Sequence, residues 1–201
     1  MKAWQDLLNK PGLATYFSGI FDHLGIHVIE TGERFTVNHL GTHFTLTSGI
    51  DTSHVDYIVD LSTVNISNLS KHGADARIDS LESYKIMSVL FTPLTQSSLQ
   101  SPVLKKPLFR KLTGVEDVIH VYLMSPDKVS YAVHTLIYVK RQWIVVPGIY
   151  GTPKRVFKMT PEQAIAYQRK MFEAKKKDSF GGWMKFRKWY KKWRKEVSVK
   201  K

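Results

Sequence analysis

Residues 183–201, WMKFRKWYKKWRKEVSVKK, constrain the fold more than any other stretch. Wound at about 100° per residue, Trp183, Phe186, Trp189, Tyr190, Trp193 and Val197 gather within about a third of a helix circumference. Lys185, Arg187, Lys188, Lys191, Lys192, Arg194 and Lys195 fill much of the remainder. The spacing therefore predicts a helix with an aromatic stripe on one side and a cationic surface on the other.

Charge sets this segment apart. The 201 residues carry a formal net charge of +13; residues 183–201 contribute +8, residues 168–182 a further +3, and residues 1–167 only +2. A nearly neutral body with a basic end points to an appendage for an anionic partner. Three uses compete for it. A helix lying in a membrane interface would place Trp and Tyr at headgroup level and draw Lys and Arg to anionic lipid. Nucleic-acid binding would use the same residue types, but bases must reach rings set beside the cations, and here the rings are segregated. In the third use the stripe packs on the body or on a partner, leaving a solvated charged face. An anionic membrane surface is the leading expectation, with nucleic acid behind it.

The chain has no cysteine, which excludes disulfides, thiolate metal ligands and a cysteine nucleophile. The N-terminal MKAWQDLLNKPGLATYF lacks the apolar core of a signal peptide, and no apolar run reaches the ~18 residues of a membrane span. These features set the expectation of a cytoplasmic protein, peripheral to the inner face of a membrane. Residues 1–177 read as a single α+β domain and residues 178–201 as the tail, hinged at Gly181-Gly182. No internal repeat stands out.

Within the body, Leu13, Tyr16, Phe17, Ile20, Phe21 and Leu24 predict a helix over 13–24 that Gly25 ends. Strands follow over 26–30, 34–40, 42–47 and 55–61. Ser62 is an N-cap for a short helix, Asp79-x-x-Glu82 a capping box for a stronger one that Pro93 ends, and Leu94 to Leu112 reads as short helical pieces. Strand character returns over 118–124, 129–139 and 142–146, with a short edge strand over 155–158. Thr160 with Gln163 forms a capping box and Pro161 takes the first helical position. Ala164, Ile165, Gln168, Met171 and Phe172 outline the buried face of that helix. The expected architecture is α+β: an antiparallel sheet meander with helices covering one face, plus the basic amphipathic helix.

No catalytic motif emerges. His39 and His43 straddle a turn, and His120 and His134 lie on neighbouring strands, where the simplest register would let them face each other. A metal needs three or four convergent ligands, and neither pair has a carboxylate at a telling interval. Asp56 and Asp60 share a strand face about 13 Å apart, too far for a proton-sharing dyad. No Gly-x-Ser-x-Gly elbow and no glycine-rich phosphate loop occurs. Neither a catalytic residue, a metal site nor a cofactor is assigned.

An apolar interior remains. Phe91, Leu94, Leu104, Leu108 and Phe109 are candidate walls of a pocket for an apolar, lipid-like ligand. The order of helix, three-strand meander and VDYIVDLSTVNISNL, with a serine leading from strand to helix, resembles the sterol carrier protein two superfamily over roughly residues 13–124. That resemblance implies a sheet covered by helices around an apolar lipid tunnel, and an accessory rather than catalytic role. The leading expectation is a non-catalytic, peripherally membrane-associated lipid-binding or carrier protein. Two alternatives stand beside it. One is a small enzyme with a cone-shaped α+β pocket, like nuclear transport factor or ketosteroid isomerase, using His120 or His134 as general base. The other is a nucleic-acid-binding accessory protein.

Overall fold

The computed structural model describes residues 4–5, 8–9, 13–64, 67, 92, 94–100, 118–125, 127, 129–140, 142–177 and 179–199. The fold is α+β, and the chain divides into two compact units, Met1–Leu94 and Thr95–Lys201. Charge and composition draw a boundary at 177/178; packing draws one at 94/95. Each unit holds its own four-stranded mixed sheet, so two sheets stand where the sequence suggested one meander.

In the first unit α1 (Leu13–Phe17) precedes β1 (His23–Val28), β2 (Arg34–His39), β3 (Phe44–Ser48) and β4 (Tyr57–Leu61). The strand order is β3-β2-β1-β4, antiparallel except that β4 runs parallel to β1. The helix predicted over 13–24 is cut short. Gly19 takes φ 74°, a left-handed conformation that ends helices, and Leu24 alternates within a strand instead. Gly25 is therefore a strand residue rather than a cap. A Cβ there would lie 2.9 Å from the Ile50 side chain, which would have to shift to admit it.

In the second unit β5 (Val118–Met124), β6 (Ser130–Val139), β7 (Gln142–Pro147) and β8 (Arg155–Met159) follow the predicted strands closely. Helices α2 (Pro161–Lys177) and α3 (Phe180–Val197) complete the unit. The predicted capping box is present: Thr160 N–H donates to Gln163 Oε1 at 2.9 Å, and Gln163 N–H to Thr160 Oγ1 at 3.4 Å. All five residues assigned to the inner face of α2 are buried.

The two sheets repeat one architecture. The second has order β7-β6-β5-β8, again antiparallel except for β8 beside β5. Registers match residue for residue: Gly25 lies between Thr36 and Ile58 as His120 lies between Thr135 and Val156. Thr36 Oγ1 donates to Gly49 O at 2.9 Å, and its equivalent Thr135 Oγ1 to Gly148 O at 2.7 Å. The outer rims match as well. Gln5 Nε2 donates to Phe44 O at 2.9 Å on β3, and Gln96 Nε2 to Trp143 O at 2.8 Å on β7. The absence of an internal repeat, read from sequence, is thus corrected. Equivalent core positions differ in identity, as in Phe44 and Trp143 or Val59 and Phe157, because a core asks for volume and apolarity more than for a given side chain.

Candidate electrostatic docking face

Helix α3 is built onto the second unit by the stripe that the sequence sets apart. Ser179 caps it, accepting from Gly182 N–H at 3.1 Å. Gly181 and Gly182 lie inside the first helical turn, so they form no hinge. Gly182 instead permits close approach of the two helices: a Cβ there would sit 3.2 Å from Lys177 Cβ. Trp183, Phe186, Tyr190, Trp193 and Val197 are buried. Tyr167 of α2 meets the rings of Phe186, Tyr190 and Trp193, and Phe157 of β8 meets Trp193 edge-on at 5.9 Å. The Trp193 indole N–H donates to Gln163 O at 3.2 Å. Past the helix, Val199 N–H donates to Val156 O at 3.0 Å, so the chain closes onto the rim of β8.

The aromatic residues proposed for a membrane face therefore form the packing face, with Trp189 half-buried at its border and stacked on Trp193 at 5.7 Å. The cations divide in turn. Lys185, Lys188, Lys191, Lys192 and Lys195 are exposed, whereas Arg187 and Arg194 are half-buried, Arg194 lying over the Tyr190 ring at 5.9 Å. At 100° per residue the five exposed lysines span about 120°, and the buried stripe is centred almost opposite. The helix thus turns its lysines away from the sheet.

Helix α2 widens this cationic surface. Lys170, Lys177, Lys185, Glu173, Phe186 and Trp189 line a groove of about 170 Å³ between the two helices. Glu173 accepts from Lys170 at 2.8 Å and from Lys177 at 2.9 Å. Those two hydrogen bonds hold its carboxyl well below the usual range, at about 2, so it stays ionised and offsets part of the positive charge.

The other sequence-derived candidates fall differently. Of the proposed pocket residues, Leu94 is buried, and Phe91, Leu104, Leu108 and Phe109 lie outside the described residues, as do Asp79 and Glu82. His120 pairs with Thr135 and His134 with Val121, which places the two imidazoles on opposite faces of the sheet, not facing each other. His120 Nε2 bonds Tyr150 O at 3.1 Å, fixing the loop after β7. His134 lies on the core face, where burial pulls its imidazole down to about 4. It occupies the position that Phe35 fills in the first unit. His39 bonds Ala14 O at 2.7 Å, while His43 sits on the exposed turn with Thr42. Asp56 accepts from the N–H groups of Asp22 and His23, and Asp60 pairs with His27 at 2.9 Å. Among the described residues no group of three or more His, Asp or Glu is arranged to hold a metal ion. Nor is any helix among them long and apolar enough to cross a membrane.

The sequence located the helix and its two sides, but could not say that the stripe's partner is intramolecular. The signal available was Tyr167, which places an aromatic ring on the side of α2 that meets the stripe. Comparison with protein-family models, curated proteins and solved structures finds no match for this chain.

Proposed function

We propose that the protein is a peripheral accessory protein that docks on an anionic membrane surface through the lysine face of α3. One observation carries the reading: five exposed lysines share one arc of a helix whose opposite arc is fixed to the folded body. A face held this way keeps its cations aligned without an ordering cost at binding. Each lysine near an anionic bilayer contributes up to about 1 kcal/mol, and the attraction fades beyond a Debye length of about 10 Å.

Shape favours a bilayer over nucleic acid. Exposed Lys170, Lys176 and Lys177 of α2 extend the cations over two packed helices, roughly 20 Å wide. A plane of headgroups accommodates that width, whereas a DNA major groove of about 12 Å admits one helix. The rings that would stack on single-stranded bases are occupied in packing. With the stripe buried, association is electrostatic rather than insertional.

The test is co-sedimentation of the full chain with phosphatidylcholine vesicles, with and without about a third phosphatidylserine. The partner variant replaces Lys188, Lys191, Lys192 and Lys195 by Gln. Truncation at Ser179 would strip the cover from Phe157 and Tyr167, so charge variants are the cleaner probe. The full chain should bind the anionic vesicles, and four neutralised lysines should weaken partitioning by up to about three orders of magnitude. Equal binding to both vesicle types, an unaffected variant, or retention on DNA or RNA alone would overturn the reading.

A further inference from the structure

The groove between α2 and α3 differs in kind from the lysine arc beside it. Lys188, Lys191, Lys192 and Lys195 stand on a convex helix surface and attract any anion within a Debye length. The groove is concave and its cations are backed by rings. Lys170, Lys177 and Lys185 border it, Phe186 and Trp189 supply an aromatic wall, and Glu173 lies among the lysines.

Glu173 sets where two of these lysines point. Its Oε2 accepts from Lys170 at 2.8 Å and its Oε1 from Lys177 at 2.9 Å, so one carboxylate holds both ammonium groups. An ammonium has three donors and the carboxylate uses one of them, so each lysine can bond a second acceptor without releasing the first. Held in this way, both side chains have already lost rotamer freedom that a lone surface lysine gives up on binding. Three lysines against one ionised carboxylate leave the groove at +2. A phosphate monoester matches that charge, carrying about −1.5 to −2 at pH 7 on three strong acceptor oxygens. A divalent cation is repelled by it. Size agrees: a cavity of about 150 Å³ takes one benzene, six heavy atoms. The 170 Å³ here therefore admits a phosphate group of five heavy atoms and excludes an acyl chain.

We propose that this groove binds the phosphate monoester of a lipid headgroup, with Lys170, Lys177 and Lys185 donating to its terminal oxygens. Such a headgroup preference rests on the membrane reading above, and Lys185 connects the two. It borders the groove and also stands at one edge of the exposed arc, so a headgroup can enter while the arc faces the bilayer. The rings exclude water from one side of the site, which strengthens each charge-assisted contact. The arc supplies attraction to any anionic surface, and the groove discriminates among headgroups. The diester phosphate of phosphatidylserine, like that of nucleic acid, lacks the second charge and the third terminal oxygen.

Two experiments on the full chain test this. Phosphatidylcholine vesicles are loaded with phosphatidic acid or with phosphatidylserine to the same surface potential, and co-sedimentation is compared. Phosphatidic acid should be bound at least about fivefold more tightly. The double variant Lys170→Gln, Lys177→Gln should abolish that preference. Lys188→Gln with Lys192→Gln, which removes the same charge from the arc, should weaken binding to both vesicles and keep the preference. In the second experiment, amide NMR shifts are followed on adding glycerol 3-phosphate, a monoester, or dimethyl phosphate, a diester. The monoester alone should shift groove residues saturably, and the groove variant should not respond. Equal binding of the two lipids, a preference that survives in the groove variant, or equal shifts from the diester would overturn the proposal and leave electrostatic docking intact. Saturable shifts from glycerol 3-phosphate with binding to neither vesicle would overturn the lipid source and the membrane reading together, and assign the groove to a soluble phosphate monoester.

Discussion

Replacing Trp193 by Ala tests the packing of α3 most sharply. The ring is 5% exposed, meets Phe157, Tyr167, Trp189 and Tyr190 at centroid distances of 5.9, 5.2, 5.7 and 5.7 Å, and donates one hydrogen bond to Gln163 O. Truncating a buried Trp costs about 3–5 kcal/mol, and losing a part-buried hydrogen bond adds about 1. Partial collapse of Tyr167 and Trp189 into the space offsets some of this, giving about 4 kcal/mol, a large share of the 5–15 typical of a domain. Urea unfolding followed by far-UV circular dichroism and by fluorescence measures it, with Trp189→Ala as the control. Trp189 is half-buried at the border of the stripe, so its removal should cost no more than about 1–2 kcal/mol. Equal, small losses for both variants, accompanied by a fall in vesicle binding, would refute the packing and return the stripe to the membrane.

Two further outcomes follow from the repeat. His134→Phe restores the residue type found at the equivalent Phe35 and should remove a pH dependence of stability. With its folded-state value lowered from 6.5 to about 4, the unfolded chain binds the extra proton between those limits, so stability falls as pH drops from 6.5 to 4. The loss is of order 3 kcal/mol, absent in the variant, and unfolding titrations at pH 7 and pH 4.5 measure it. Gln5→Ala and Gln96→Ala should act alike, each costing about 1 kcal/mol and raising amide exchange in its own unit, at β3 and β7 respectively. Hydrogen exchange with residue resolution distinguishes this from a cost spread over both units.

Local signals in the sequence reported well wherever the physics is local. The Thr160–Gln163 cap, the β5 to β7 strands and the two sides of α3 depend on neighbours within a few residues, and each is found in the structure. The facing of His120 and His134 depended on strand register, and that expectation failed. His120 and His134 fall on opposite faces because β5 and β6 pair His120 with Thr135. The repeat was hidden by its loops: the offset between equivalent residues runs from 91 at Gln5 and Gln96 to 95 at Gly25 and His120 and 99 at Thr36 and Thr135. A fixed period misses such a pattern, and freely exchanged core residues leave few identities to find. Gly49-Ile50 and Gly148-Ile149, after β3 and β7, are among the few that survive, because backbone geometry requires the glycine: φ is 81° and 95° there.

The closure of the chain onto β8 bears on solubility. A sheet apolar on both sides is the kind that recruits further strands and grows into aggregates, and it grows from its rims. Here both rims are occupied by the molecule's own atoms. Gln96 bonds the backbone at Trp143 O and Val145 N on β7, and Ser198 and Val199 bridge to Phe157 and Val156 on β8. An incoming strand would have to displace one of these before it could add to the ladder. The second unit can therefore carry strongly apolar strands without becoming a template for its own polymerisation.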